Sequence, residues 1–229
     1  MLGTIANTAA IICGSIIGLL FRGGIPEKYN ETVMKAIALA VVLIGILNAL
    51  KMENLLLVII SLAVGSIIGE YLRIECRLES FGKWLETRFA GGKNDISRGF
   101  IASSLLFCVG SMAIIGSLES GLTNNHQTLF AKSVLDGISA IVFASSFGIG
   151  VLFSSLSVFI YQGLITLSAS FLKQLLIPSV VANMSAVGGL LIIALGFNML
   201  NFEKIKVGNM LPAIFIPLIY YIIKLSVNI

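Results

Sequence analysis

Apolar residues run along this chain in stretches of roughly 20, the length that crosses a bilayer as a helix. The runs fall near 2–21, 34–50, 54–72, 99–119, 128–147, 150–172, 180–200 and 207–226. They predict an all-α, polytopic transmembrane bundle of about eight spans, forming a single transmembrane domain over 1–229. The shorter runs fit a tilted or locally thinned setting. The gap from 73 to 98 has a period of its own. Ile74, Leu78, Phe81, Leu85 and Phe89 recur at helical spacing, with Arg73, Arg77, Lys83, Glu75, Glu79 and Glu86 elsewhere around the wheel and Trp84 as an interfacial aromatic. This predicts an amphipathic helix over 74–90 on the cytoplasmic membrane surface, or docked on a soluble partner, ended by Gly91-Gly92.

Small residues add a second pattern. The pentapeptide GSIIG occurs at 14–18 and again at 65–69, and its four-residue period continues through Ala6, Ala10, Gly14 and Gly18, and through Ser61, Gly65 and Gly69. Such stripes let helix backbones approach closely, so these glycines are packing positions, within one chain or in a homodimer. A fainter echo links LIGILNALKMENLLL at 43–57 with ALGFNMLNFEKIKVG at 194–208. It suggests two three-span inverted repeats, 1–72 and 150–229, around a central polar segment 99–147, the construction of many secondary transporters.

Composition places the chain firmly: 57% hydrophobic, 11% charged, mean hydropathy +1.02. The net charge of +4 is spread over the gaps, which argues for membrane topology and against nucleic acid. MLGTIANTAA has no positive n-region, and its apolar stretch continues to Phe21, which reads as a first span. With Arg22, Lys28 and Lys35, then the six basic residues from Arg73 to Arg98, then Lys204 and Lys206 placed inside, 11 of the 15 basic residues are cytoplasmic. That arrangement favours eight crossings in a bacterial inner membrane with both termini outside. Cys13, Cys76 and Cys108 form no metal-binding spacing.

The stretch 107–150 departs from lipid-compatible chemistry. It carries Glu119, Lys132 and Asp136 and repeated Gly-Ser pairs, in a region that must lie at membrane depth. Gly110-Ser111, Gly116-Ser117 and Ser120-Gly121 weaken a helix at three places, so 108–121 is expected to be discontinuous. Freed backbone groups there can bind an ion or polar solute, or the segment is simply a small-residue packing helix. Lys132 and Asp136 share a helix face four residues apart. They form either a neutralising pair near the outer boundary or a buried acid with its counter-charge; Asp136 could also cap a helix starting at Gly137. Ser145, Ser146, Gly148 and Gly150 read as a turn or a re-entrant tip. Gln162 interrupts the next apolar run. Asn7, Asn48, Asn183 and Asn198 read as interhelical hydrogen-bonding groups, and His126 as a solvated loop residue.

No nucleotide loop, zinc-protease or nucleophile-elbow motif occurs, and the chain is not expected to be an enzyme. The substrate- or ion-binding set is therefore Asp136, Lys132, Ser111, Ser117, Glu119, Ser145, Gln162, Gly110 and Gly116, with Gly14, Gly18, Gly65 and Gly69 for helix packing. No cofactor or metal is expected beyond Na⁺ or H⁺ as a coupling ion.

GSMAIIGSLESGL, KSVLDGISAIVFASSFGIGV and YQGLIT, with the GSIIG-bearing start and GEYLRIE at 69–75, resemble the bacterial membrane family catalogued as domain of unknown function 554, the YdfK/YqgA-like proteins. The resemblance covers nearly the whole chain. It implies a polytopic inner-membrane protein, often labelled a possible transporter, with no substrate to carry over. Its polar motif maps onto Gly110, Ser111, Gly116, Ser117, Lys132, Ser133, Asp136, Gly137, Gln162 and Gly163. Relatives are expected to have a Gly-Asp pair soon after Gly121-Leu122, where this chain has Thr123-Asn124-Asn125, so a role for that loop is weakened.

The expectation is a secondary transporter of a small polar or ionic solute, Na⁺ or H⁺ coupled, working by alternating access around a midplane site. Its partners are the lipid bilayer, the solute and a second copy. An ion channel using the same residues, or a scaffold recruiting a partner through 74–90, are the alternatives.

Overall fold

The computed structural model describes residues 1–21, 27–89, 96–200, 202 and 204–227, with 27–31, 33, 81–83, 85–89 and 227 as backbone only. Among these the chain is helical throughout, with no strand. The order is α1 (Leu2–Phe21), α2 (Glu27–Ala49), α3 (Leu55–Leu72), α4 (Ile74–Phe89), α5 (Ile96–Cys108), α6 (Ser111–Leu122), α7 (Gln127–Phe147), α8 (Gly150–Leu167), α9 (Ala169–Leu172), α10 (Pro178–Met199) and α11 (Val207–Met210). A 3-10 turn (Leu211–Phe215) then leads into α12 (Ile216–Val227). Six elements are long and apolar enough to cross a membrane, counting 207–226 as one, and the bent pair α5–α6 makes a seventh. The expected span at 34–50 is a shorter apolar helix, Met34–Ala49, within α2. Arg22, Lys93 and the Gly91-Gly92 stop signal lie outside the described residues.

Local chemistry sets the boundaries. Asn54 caps α3 by accepting a hydrogen bond from the Leu57 N–H at 3.0 Å. Arg73 adopts a left-handed conformation (φ 52°) that ends α3 and starts the amphipathic α4 in a new direction. Pro178 opens α10, where its fixed φ suits the first helical position. Gly148 (φ 78°) makes the two-residue turn joining α7 to α8.

The small-residue stripes are both filled from within the chain. Gly14 and Gly18 lie against the Gly137 and Ile141 carbonyls of α7, and a methyl group at either position would collide with them. Gly65 and Gly69 meet Ala213 and Asn209 in the same way. The expectation of a homodimer through these stripes is corrected on this point: α7 and the 209–213 segment occupy the faces that a second copy would need. Gly45, Gly189 and Gly196 make a third close seam, between α2 and α10. The most buried span, α10, lies between two apolar clusters, one around Ile11, Phe107, Phe143 and Ile192, the other around Val58, Ile114, Val187 and Ala213. Outward faces stay apolar, including Ile16, Leu20, Ile59, Ile67, Val134, Ile138, Leu164 and Ile223. Such surfaces suit a bilayer and not water.

Candidate functional site

The one charged pair among the described residues that lies inside the bundle sits on α7. Lys132 Nζ donates to both Asp136 carboxylate oxygens, at 2.8 and 2.6 Å, and both residues are 6% exposed. Asp136 is nine residues from the start of α7 and eleven from its end. At about 1.5 Å per residue that is roughly 14 and 17 Å, so the carboxylate lies near the middle of the span. A boundary pair with a snorkelling lysine is thereby corrected to a buried one. On insertion scales each charge costs about 2.5–3.5 kcal/mol at such depth, and pairing offsets part of that. α1 supplies the third member: Asn7, fully buried, donates from Nδ2 to Asp136 Oδ2 at 2.9 Å. The glycine seam of Gly14 and Gly18 holds α1 close enough for this bond.

α7 runs unbroken through Gly137, so the option of a helix starting there is also corrected. α7 and α8 are each span-length, joined by the turn at Gly148 and Ile149, while Ser145 and Ser146 belong to the last turn of α7. The break does occur at Gly110. There φ is 138°, a region that side-chain-bearing residues avoid, and α5 and α6 meet at 60°.

Beside this break lies a cavity of about 230 Å³, walled by Phe100, Leu105, Ile114, Met184, Ile214 and Phe215 among others. Its few polar groups come from Ser104, Ser157, Tyr161, Ser185 and the Gly110 backbone. Ser104 donates to Ser157 at 3.1 Å, whereas the hydroxyl of Ser185, 1% exposed, has no hydrogen-bond partner.

The predicted set thus divides. Lys132 and Asp136 come together; Gly110 joins the cavity. Gln162 on α8 is fully buried with neither amide atom partnered. One turn further along α8, Thr166 meets Thr4 of α1 at 3.4 Å, which aims this face of α8 at the turn of α1 bearing Asn7. Asn7 Oδ1 also lacks a partner. Ser117 bonds the Ala113 carbonyl of its own helix, and Gly116 packs on Leu129 and Thr128. Glu119 accepts from Thr128 at 2.6 Å near the α6–α7 loop. Ser145 bonds back to Val142, about 14 Å along α7 from Asp136. Ser111 accepts from Lys51 at 3.3 Å. None of these five helps to form the ion-pair layer. Of the other polar intrusions, Asn183 holds the Glu53 and Asn54 N–H groups, Asn198 closes the turn onto Ile205, Asn48 bonds the Ile44 carbonyl, and His126 pairs with Ser120 at 2.9 Å.

Sequence reasoning missed a second cluster where α3, α4 and α11 meet. Asn209 Oδ1 accepts from the Glu75 N–H at 2.7 Å while its Nδ2 donates to Glu70 at 2.6 Å. Glu75 accepts from the Gly208 N–H at 2.6 Å, Lys206 pairs with Glu70, and Lys204 pairs with Glu79. Burial pushes the Glu75 carboxyl above the usual range, against the Gly208 N–H, which lowers it. The acidic half was visible in GEYLRIE, but its partners lie 133 or more residues later.

Residues 2–222 match the family described as Protein of unknown function (DUF554). The chain is 37% identical over 222 residues to "Uncharacterized membrane protein YdfK" of Bacillus subtilis (strain 168), covering 95% of this chain and 94% of that protein. It is 30% identical over 223 residues to "Uncharacterized protein YqgA" of Escherichia coli (strain K12), covering 95% of each. No solved structure matches.

Proposed function

Because the chain belongs to the DUF554 family, whose members here carry no stated activity, we propose from its own residues that it is a secondary transporter of a small solute. The observation that carries this reading is the buried Lys132–Asp136 pair at mid-span, held by Asn7, in a bundle that also has a helix broken at Gly110. A charge retained at that depth is expensive and is the usual mark of an ion or proton pathway. Helices broken near the middle of a membrane are where transporters bind. In this reading H⁺ or Na⁺ exchanges at Asp136 while Lys132 balances it. The unpartnered amide of Gln162 and Oδ1 of Asn7 are the neutral groups available to the same ion.

Protonating Asp136 removes the attraction that holds Lys132, which frees α1 and α7 to shift relative to each other, and that shift couples the ion to the solute. The chain is proposed to lie in the bacterial inner membrane with both termini outside, and spans 1–3 and 6–8 are proposed as inverted repeats. If it dimerises, the contact uses an outward apolar face, since the glycine stripes are taken.

The test is reconstitution. Purified protein in liposomes, given an imposed proton or Na⁺ gradient, should accumulate its solute and lose that coupling in Asp136→Asn. Voltage-driven current without coupling would show a channel instead. A folded Asp136→Asn protein with unchanged coupled flux would remove Asp136 from the mechanism.

A further inference from the structure

Charge is sorted across α4. The carboxylates near its start turn towards the bundle and are taken. Glu75 accepts from the Gly208 N–H, Glu79 pairs with Lys204, and Glu70, at the end of α3, holds Lys206 and Asn209. Arg73 and Arg77 turn the other way. Both are exposed, and neither guanidinium has a hydrogen bond or ion pair among the described residues. They stand four residues apart and line one open pocket of about 370 Å³ together with Tyr71, Leu72, Cys76 and Ser80. No acidic side chain lines it, and like charges at this spacing repel. The pocket is therefore short of negative charge. The backbone at the start of α4 adds nothing to it, since Asn209 holds the Glu75 N–H.

The position of the pocket in the fold identifies the source of that charge. Leu72 is the last residue of the α3 span, Tyr71 is 87% exposed, and Ile67, just over one turn earlier, is 71% exposed on an outward apolar face. The pocket thus opens where lipid-facing hydrocarbon gives way to a polar helix, which is the level of phospholipid headgroups. Trp84, 57% exposed, continues the face that bears Arg73, Arg77 and Ser80. Guanidinium groups suit phosphate, because their planar forks give paired N–H donors to its oxygens.

We propose that Arg73 and Arg77 form a headgroup site for an anionic phospholipid, a phosphatidylglycerol-type phosphodiester that carries no cationic group. Its phosphate lies between the two guanidinium groups, and its acyl chains follow the outward face of α3 past Ile67. Phosphatidylcholine offers the same phosphate, but its trimethylammonium brings a third positive charge to the pocket. A bound lipid ties the start of α4 to the bilayer at the point where the chain leaves α3. The site depends neither on Asp136 nor on transport.

Trp84 is the chain's one tryptophan, seven residues or about 10 Å along α4 from Arg77, so its fluorescence reports this face alone. The experiment reconstitutes the full-length protein into phosphatidylcholine vesicles holding a rising fraction of phosphatidylglycerol with acyl chains brominated near the ester. Brominated phosphatidylcholine is the reference, and bromine quenches tryptophan on contact. The expected result is about threefold or greater enrichment of phosphatidylglycerol beside Trp84, falling to random mixing when Arg73→Gln and Arg77→Gln are combined. Arg73→Lys with Arg77→Lys keeps the charge without the planar fork and should lose more than half of the enrichment. Random mixing in the wild type, or full enrichment in the Gln variant, overturns the proposal. Full enrichment in the Lys variant also overturns it, because general charge attraction then suffices. Enrichment abolished by millimolar inorganic phosphate assigns the pocket to a soluble anion and overturns the lipid. Should Arg73→Gln disturb the left-handed turn, Arg77→Gln alone decides: at least half of the enrichment must go, and less overturns the site.

Discussion

The ion-pair layer on α7 and the cavity beside Gly110 are built on opposite terms. Around Asp136 there is charge and no space: two carboxylate oxygens take bonds from Lys132 and Asn7, and α1 presses on α7 through glycines. Around Gly110 there is space and almost no polarity. None of Asn7, Lys132 and Asp136 lines the cavity. A site that combined both was the natural expectation from 108–150 as a single polar stretch. The separation teaches that buried charge and free volume are built by different residues of the bundle. The two regions share α8, which carries the unpartnered Gln162 and, one residue earlier, the cavity-lining Tyr161.

The sharpest way to break this comparison is to leave one charge alone. Lys132→Met should cost about 3–5 kcal/mol because it strands a buried carboxylate, whereas Lys132→Met with Asp136→Leu should recover most of that stability. Denaturation midpoints in detergent read both, and the double variant is expected to fold yet fail coupled transport. Next in size is crowding. Gly14→Leu should destabilise by about 1–3 kcal/mol or more, since its side chain meets the Gly137 backbone. Ser157→Phe, on the cavity, should cost far less in the same assay.

Ser185→Ala is expected to be neutral or stabilising, within about 1 kcal/mol, because it removes an unpaired buried hydroxyl. The smallest effect belongs to the α3–α4–α11 junction, whose ion pairs are exposed. The Glu75 carboxyl is raised in the fold, so its ionised form opposes stability above the ordinary carboxylate range. Stability contributed there should rise as pH falls through the raised value and level off below the ordinary range. Glu75→Gln, which keeps an acceptor for the Gly208 N–H, should flatten that rise in a pH series of melting curves.

What could be read from the sequence was what lies within one helix. The spans followed from apolar runs, the α5–α6 break from Gly110-Ser111, and the Lys132–Asp136 pair from its spacing of four. The amphipathic α4 followed from the recurrence of Ile74 and Leu78 with charges between. What stayed hidden was every partner brought from afar. GSIIG shows that α1 and α3 can pack closely, but α7 and the 209–213 segment carry no matching pentapeptide. Asn7 looked like one amide among several, because its bond to Asp136 spans 129 positions. The cavity is formed by shape from six helical elements, and no residue type announces a shape.

The glycine seams also set an order of events during synthesis. Gly14 precedes its neighbour Gly137 by 123 residues, and Gly69 precedes Asn209 by 140. At the roughly 5–20 residues per second of a ribosome, α1 waits about 6–25 s in the bilayer before α7 exists to meet it. Through that interval Asn7 and two small-residue stripes face lipid or the insertion machinery unpaired. Lys132 and Asp136, four residues apart, arrive already able to neutralise each other. The charges and the partner of the α1 seam therefore arrive together on α7, whereas the Gly65–Gly69 seam closes only once Asn209 and Ala213 have been made.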